Sequence, residues 1–232
     1  MYKGYKILGI VPARAGSKGI INKNMFSIFD KPLIAYTLEQ AKKSKYLDDV
    51  IVSTDSPEIL EYAVKTYNCK NNGFRPQDIA TDTSPTIAAV LHELKNIQPI
   101  YDAVALLQPT QPLRQAFHID EAIEIFVKYN MQSVVGITPA PIHPQFLRRI
   151  ENGKLHSYNT NSSTIRRQEL SPYYYVNGMV YINAVSTLDN NTSFNDNIIP
   201  YIIDEKYAVD IDVVDDVELF KMKYEKINFL ES

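Results

Sequence analysis

Short apolar runs alternate with amphipathic stretches along most of this chain. Lys6-Ile-Leu-Gly-Ile-Val11 is brief and continuously apolar, the pattern of a strand buried on both faces of a parallel sheet. After a polar loop, Pro32 to Lys43 places Leu33, Ile34, Tyr36, Thr37, Leu38 and Ala41 near helical spacing, with proline at its start and lysines in its last turn. That spacing predicts a helix. The rhythm continues with a strand at Val50–Thr54, helices from Pro57 to about Tyr67 and from Thr86 to about Ile97, a strand at Ala103–Leu107, a helix at His118–Tyr129 and a strand at Ser133–Thr138. Strands alternating with helices of this length predict right-handed βαβ units, hence a three-layer, Rossmann-like α/β domain with a mainly parallel sheet.

The rhythm breaks after Pro139. Prolines 139, 141 and 144, the pair Asn152-Gly153 and the polar run Tyr158 to Ser163 replace the expected helix. Residues 139–175 therefore read as an arm inserted into a single domain spanning 1–232. Phe146–Ile150 and Lys154–Ser157 flank Asn152-Gly153 as the strands of a hairpin would, with mostly loop as the alternative. Such an arm lids a site or grips a second subunit. Strands are predicted again at Gly178–Asn183 and Ala208–Asp212, and a closing helix from Val214 to about Ile227 carries acids in its first turns and lysines later.

Composition narrows the function classes. The 232 residues carry 24 Lys plus Arg against 27 Asp plus Glu, so a net charge of -3 gives no chain-wide field for nucleic acid or anionic membrane. The longest wholly apolar run is about five residues, far short of the roughly 20 that span a bilayer. A cytoplasmic protein is expected. The single cysteine, Cys69, excludes an internal disulfide and reads as core filling. Histidines 92, 118, 143 and 156 show no metal-ligand spacing, and no GxSxG elbow accompanies a serine.

Pro12 to Asn24 is the most informative stretch, because it follows the first strand at the sheet edge where α/β proteins open their ligand crevice. Gly16 and Gly19 allow backbone N–H groups to approach an anion beside Ser17, while Arg14, Lys18 and Lys23 supply cations. This is neither a P-loop nor a GxGxxG turn. A solvated basic loop is the plain alternative. Near the other end, Asp210 and Asp212 would point to one face of a strand, about 6–7 Å apart along the backbone, and could converge on a magnesium ion. The alternative makes Asp212 the N-cap of the last helix and Asp210 a surface charge. Gln108 and Arg114 follow the strand at Ala103–Leu107 and face the same crevice if the sheet is parallel; a proline-rigid turn would explain Pro109 and Pro112 alone.

These segments together resemble a known family. Ile10-Val-Pro-Ala-Arg-Ala-Gly-Ser-Lys-Gly-Ile20 with Lys23-Asn24 is similar to the signature loop of the acylneuraminate cytidylyltransferases, the CMP-sialic acid synthetases. Phe74-Arg75-Pro76 with Thr81-Asp82-Thr83, Leu106 to Arg114, and Asp210-Ile211-Asp212 resemble three further blocks in the same order. The resemblance implies a Rossmann-like nucleotidyltransferase fold and a homodimer gripped by the arm. It also implies Mg2+ on Asp210 and Asp212, with CTP and a nine-carbon 2-keto sugar acid as substrates. By that correspondence Arg14, Gly16, Ser17, Lys18, Lys23, Asn24, Arg75 and Thr86 hold the nucleotide. Arg14, Lys18 and Asp212 serve catalysis, and Gln108, Arg167, Asn177 and Tyr181 line the sugar pocket. Asp212 or a metal-bound hydroxide would act as the base.

One departure bears on the sugar. Tyr175 stands where the best-known sialic acid enzymes carry an arginine two residues ahead of the asparagine, and a phenol does not replace a guanidinium. That opens legionaminic or pseudaminic acid as substrates. Two other classes stay open: a glycosyltransferase using Asp210-Ile211-Asp212 as its D-x-D, and a catalytically silent nucleotide sensor.

Overall fold

A computed structural model describes residues 1–98, 100–157, 166 and 170–231. Strand β1 (Ile7–Pro12) is flanked by parallel neighbours β4 (Asp49–Ser53) and β5 (Ala103–Leu106). Its side chains alternate between two apolar layers, which is why the whole run is hydrophobic. Ile7 and Val11 pack with α1 (Leu33–Lys43), α2 (Pro57–Tyr67), α4 (Ala116–Lys128) and α5 (Val214–Glu231). Leu8 and Ile10 pack with α3 (Thr86–Asn96) and Phe194. The three layers follow. On the first face the Tyr36 and Phe220 rings meet edge-on at 5.0 Å, tying α5 to α1. Cys69 is buried, and burial pushes its thiol up to about 11, consistent with core filling.

The main sheet has the order β10 (Ile199–Ile202), β6 (Val134–Pro139), β9 (Tyr174–Ala184), β5, β1, β4. Strand β6 pairs with β9, which also pairs with β5, and both pairings are antiparallel. Apolar continuity reports burial on two faces and not chain direction, so the sequence pattern contained no sign of this reversal. The edge strand β10, parallel to β6, was not predicted at all. It is short and contains Pro200, which only an edge tolerates.

Two further differences have local causes. Helix α4 starts at Ala116, ahead of the predicted His118, because Gln115 and His118 form a reciprocal capping box in which the Gln115 N–H donates to His118 Nδ1 at 3.0 Å. Burial, with help from Arg114, holds the His118 pKa down at about 3, so the ring stays an acceptor. Before α1, β2 (Ser27–Ile28) and β3 (Lys31–Pro32) form a small hairpin whose turn residues, Phe29 and Asp30, both take positive φ.

The arm contains the predicted hairpin, β7 (Arg148–Glu151) paired with β8 (Lys154–Ser157). Every residue of those two strands is exposed. The arm is narrower than 139–175, since β6 runs to Pro139 and β9 begins at Tyr174.

The predicted strand at Ala208–Asp212 is absent. The segment is extended, with Val209 and Ile211 buried and Asp210 and Asp212 outward, but the Ile211 N–H donates to the Thr110 carbonyl in a loop at 2.9 Å. Alternate burial without a sheet partner reproduces the period of two.

Phe126 on α4 is completely buried in the layer that α4 shares with β6 and β9. Phe126→Ala is expected to cost about 3–5 kcal/mol in urea unfolding, without a change in the far-ultraviolet spectrum of the folded state.

Candidate active site

The loop after β1 is fixed before any ligand arrives. The Ala13 N–H donates to the Ser53 carbonyl at 2.9 Å, the Ala15 N–H to Asp55 Oδ1 at 2.6 Å, and Asn24 Nδ2 to the Arg14 carbonyl at 3.0 Å. Gly16 takes φ +67°, the left-handed turn that its residue type permits. Gly19 is required for space. A Cβ there would collide with the carbonyl oxygen of Asp212 and lie 3.2 Å from its carbonyl carbon. Beside this contact Lys23 Nζ donates to the Ile211 carbonyl at 2.9 Å and pairs with Asp212 Oδ1 at 2.7 Å, across 189 positions of sequence. The glycine loop and the late aspartates therefore form one structure.

The capping alternative for Asp212 does not hold. Helix α5 begins at Val214, so the N-cap position is Val213; Asp216 Oδ2 reaches back to accept from the N–H groups of Asp212 and Val213 at 2.9 Å, while the Asp212 carboxylate pairs with Lys23. Asp212 is 71% exposed against 13% for Lys23, so the pair opens onto solvent from the carboxylate side. The Asp210 carboxyl has its pKa raised, chiefly because surrounding protein displaces its water and further by the charges of Asp212 and Asp216; a hydrogen bond from Thr110 opposes the shift. Among the described residues no group of three or more His, Cys, Asp and Glu forms a metal cage. Two neighbouring carboxylates, both exposed, do fit a magnesium ion that completes its shell with water and ligand oxygens.

Two adjoining clefts open at this edge. The first, about 290 Å³, is lined by Arg14, Ser17, Lys23, Asn24, Arg75, Thr86 and Gln108 among others. The second, about 380 Å³, shares Pro85, Thr86 and Gln108 with the first and adds Tyr181 and the segment Asn190–Asn195. Pro85 and Thr86 open helix α3, which has no side-chain N-cap, so its positive end belongs to both clefts. Arg75 is buried, donating from Nε to Ser53 Oγ at 3.2 Å and from Nη2 to the Ser53 carbonyl; burial lowers its pKa from the usual guanidinium value. Lys18 stands at the rim and pairs with Asp82 at 2.9 Å, and Arg14 pairs with the other oxygen of the same carboxylate.

Gln108 is held from behind. A Cβ on Gly178, which takes φ +75°, would meet Gln108 Oε1 at 2.5 Å. Arg114, read from sequence as facing the crevice, is fully buried instead. It donates to the Gln108 carbonyl at 2.7 Å, to the Met179 carbonyl at 2.6 Å and to Thr37 Oγ1 at 2.8 Å. Burial lowers its pKa to about 9. Its role in this geometry is to clamp the turn that carries Gln108.

The other sugar-side residues divide. Tyr181 lines the second cleft, donates to Asn195 Oδ1 at 2.9 Å, and has its hydroxyl pushed up to about 12 by burial and then by the charge of Asp210. Asn177 lines neither cleft. Its amide donates to Thr138 Oγ1 at 2.8 Å and accepts from the Met179 N–H at 2.9 Å, beside the register shift where β6 meets β9. Arg167 lies outside the described residues, and Arg166 is exposed. Tyr175 is paired on β9 opposite Thr138 and its hydroxyl is raised by burial, with Glu205 and Asp210 adding. The sequence reading placed Asp82 in a family-like block without giving it a role, and missed the Asn190–Asn195 segment. For the latter, the available signal was an uncharged, amide-rich run around Phe194.

Comparison with known proteins gives the same direction throughout. The profile of a family described as Cytidylyltransferase matches residues 8–225. An N-acylneuraminate cytidylyltransferase of Escherichia coli is 36% identical over 219 residues, 92% of this chain and 51% of that protein, so the chain spans about half the length of that relative. A CMP-N,N'-diacetyllegionaminic acid synthase of Legionella pneumophila is 37% identical over 193 residues, 82% of each chain. A pseudaminic acid cytidylyltransferase of Campylobacter jejuni is 31% identical over 229 residues, 96% of this chain and 97% of that one. Among solved structures, a CMP:2-keto-3-deoxy-manno-octonic acid synthetase complexed with CTP superposes with a TM-score of 0.70 over 96% of this chain and 99% of that chain, at 17% identity, a likeness of fold.

The raised Asp210 carboxyl gives a pH-dependent expectation. A folded-state pKa above the unfolded value makes the ionised carboxylate a destabilising group, and the penalty disappears as pH falls through the folded pKa. Asp210→Asn is expected to raise the Tm of the ligand-free protein at pH 7, with the gain shrinking toward zero near pH 4. Calorimetry across that range measures it.

Proposed function

The chain belongs to the cytidylyltransferase family, and from that premise we propose that it activates a nonulosonic acid. The anomeric hydroxyl of a nine-carbon 2-keto sugar acid attacks the α-phosphate of CTP; the new oxygen–phosphorus bond forms as the bond to the β-phosphate breaks, giving the CMP-sugar and pyrophosphate. The observation that carries this reading is the junction of Gly19 and Lys23 with Asp212 beside a cleft that adjoins a second one at Gln108. One cleft takes the nucleotide and the other the sugar.

Such a displacement needs positioning and charge neutralisation more than covalent chemistry. Arg14, Lys18 and Lys23 face the triphosphate, with Gly16 and Ser17 supplying backbone donors. Asn24 fixes the Arg14 carbonyl, and Arg75 and Thr86 bound the cytidine side. Asp210 and Asp212 would hold a magnesium ion, which supplies charge neutralisation at the phosphates when bound. Gln108, clamped by Arg114 and Gly178, presents its side chain where the clefts meet, and Tyr181 and Asn195 face the sugar. The hydroxyl proton leaves to a carboxylate, and Asp212 is open to solvent for that role.

The relatives named above support a sugar acid of the sialic, legionaminic or pseudaminic type. N-acylneuraminate is the first reading. Legionaminic acid is the second, favoured by Tyr175 in a position that offers no guanidinium to the sugar carboxylate. The partner is a second copy of this chain, since the arm hairpin exposes Ile150 and Leu155 away from the domain. No described helix is long and apolar enough to cross a membrane.

Incubation with CTP, magnesium and a panel of nonulosonic acids is expected to release pyrophosphate, with kcat/KM ranking the sugars. Asp212→Asn should lower kcat at least about a hundredfold with Tm nearly unchanged. Nucleotide binding with no turnover of any sugar would instead indicate a sensor. Replacing Ile150 and Leu155 by glutamate is expected to shift the protein from dimer to monomer in light scattering.

A further inference from the structure

All three cations of the glycine loop already have a carboxylate, and two of them, Arg14 and Lys23, line the first cleft. Lys23 is paired with Asp212, while Arg14 and Lys18 share the two oxygens of a single residue, Asp82. Asp82 reaches them from the loop before α3, 68 positions from Arg14, and it lines the same cleft. Its ion pairs lower its own pKa, Lys18 contributing first and Arg14 next, so it is ionised at neutral pH. The two pairs are half-open to solvent, with side-chain exposures of 32% for Arg14, 83% for Lys18 and 37% for Asp82. Ion pairs so exposed are weak enough for a ligand to replace.

We infer that Asp82 is an intramolecular stand-in for the leaving pyrophosphate. This inference rests on the cytidylyltransferase reading and adds a residue to it. In the empty site Asp82 neutralises Arg14 and Lys18. A triphosphate carries enough charge to take both cations, and Asp82 swings away. After the α-phosphate has been transferred to the sugar, Asp82 competes for the same two cations and helps to expel pyrophosphate. The device keeps the loop ordered without ligand and sets product release against substrate affinity.

Titration calorimetry with magnesium pyrophosphate and with magnesium CTP tests it. Asp82→Asn is expected to tighten both about three- to tenfold, the range that loss of two exposed ion pairs permits. In a Lys18→Gln background the gain should fall by at least half, because Asp82 then holds one cation. Unchanged affinity in Asp82→Asn overturns the inference while leaving the activity standing. A gain of equal size in both backgrounds also overturns it, since that marks a general field effect rather than occupancy. A wild-type chain that binds neither ligand overturns the cytidylyltransferase reading itself, and the inference with it.

Discussion

The contact between Gly19 and the backbone of Asp212 is the constraint on which the rest of the site depends. It brings a loop near the amino terminus and a segment near the carboxyl terminus closer than any side chain would permit. Lys23 then closes the junction with an ion pair and a backbone hydrogen bond. Opposite charges are thereby held at the rim of one cleft, cations on the loop and carboxylates on the facing segment. The proposed polyanion and divalent cation would each reduce the repulsion that the other meets there.

Around this junction the fold supplies rigidity at graded distances. The loop hangs from β1 and is pinned by Ser53 and Asp55 at the neighbouring strand. Farther in, the buried guanidinium of Arg114 has no carboxylate partner among the described residues, and each of its three nitrogens donates one hydrogen bond, two to carbonyls and one to a hydroxyl. Those acceptors belong to α1, to β9 and to the turn after β5, so one side chain fixes the place where three elements meet the cleft. An arginine deprived of water is costly unless its hydrogen bonds are complete. Its presence here is explained by what it positions, the Gln108 backbone between the two clefts.

Much of this was legible in the sequence, and the legible parts share a cause. Gly16, Gly19, Arg14, Lys18 and Lys23 lie within one loop after one strand, so composition and position together mark the loop that the proposal assigns to the phosphates. Likewise, the apolar runs of β1, β4 and β5 declare burial on two faces. What escaped depends on partners distant in sequence. The reversal of β9 leaves no mark on periodicity, and the alternation around Asp210 arises from burial without a sheet neighbour. Asn177 has the residue type of a ligand contact, yet the register shift beside it turns its amide to Thr138 and Met179. Asp82 is one acid in a polar stretch until the fold sets it against Arg14 and Lys18.

The central claim is that the glycine loop and the twin aspartates act as one binding unit because no side chain stands between them. Gly19→Ala places a methyl group against the Asp212 carbonyl and must push the two segments apart. With magnesium CTP as ligand, its dissociation constant measured by titration calorimetry should rise at least tenfold, and the backbone clash should lower the urea midpoint of the ligand-free protein, which stays folded. An unaltered dissociation constant would contradict the account.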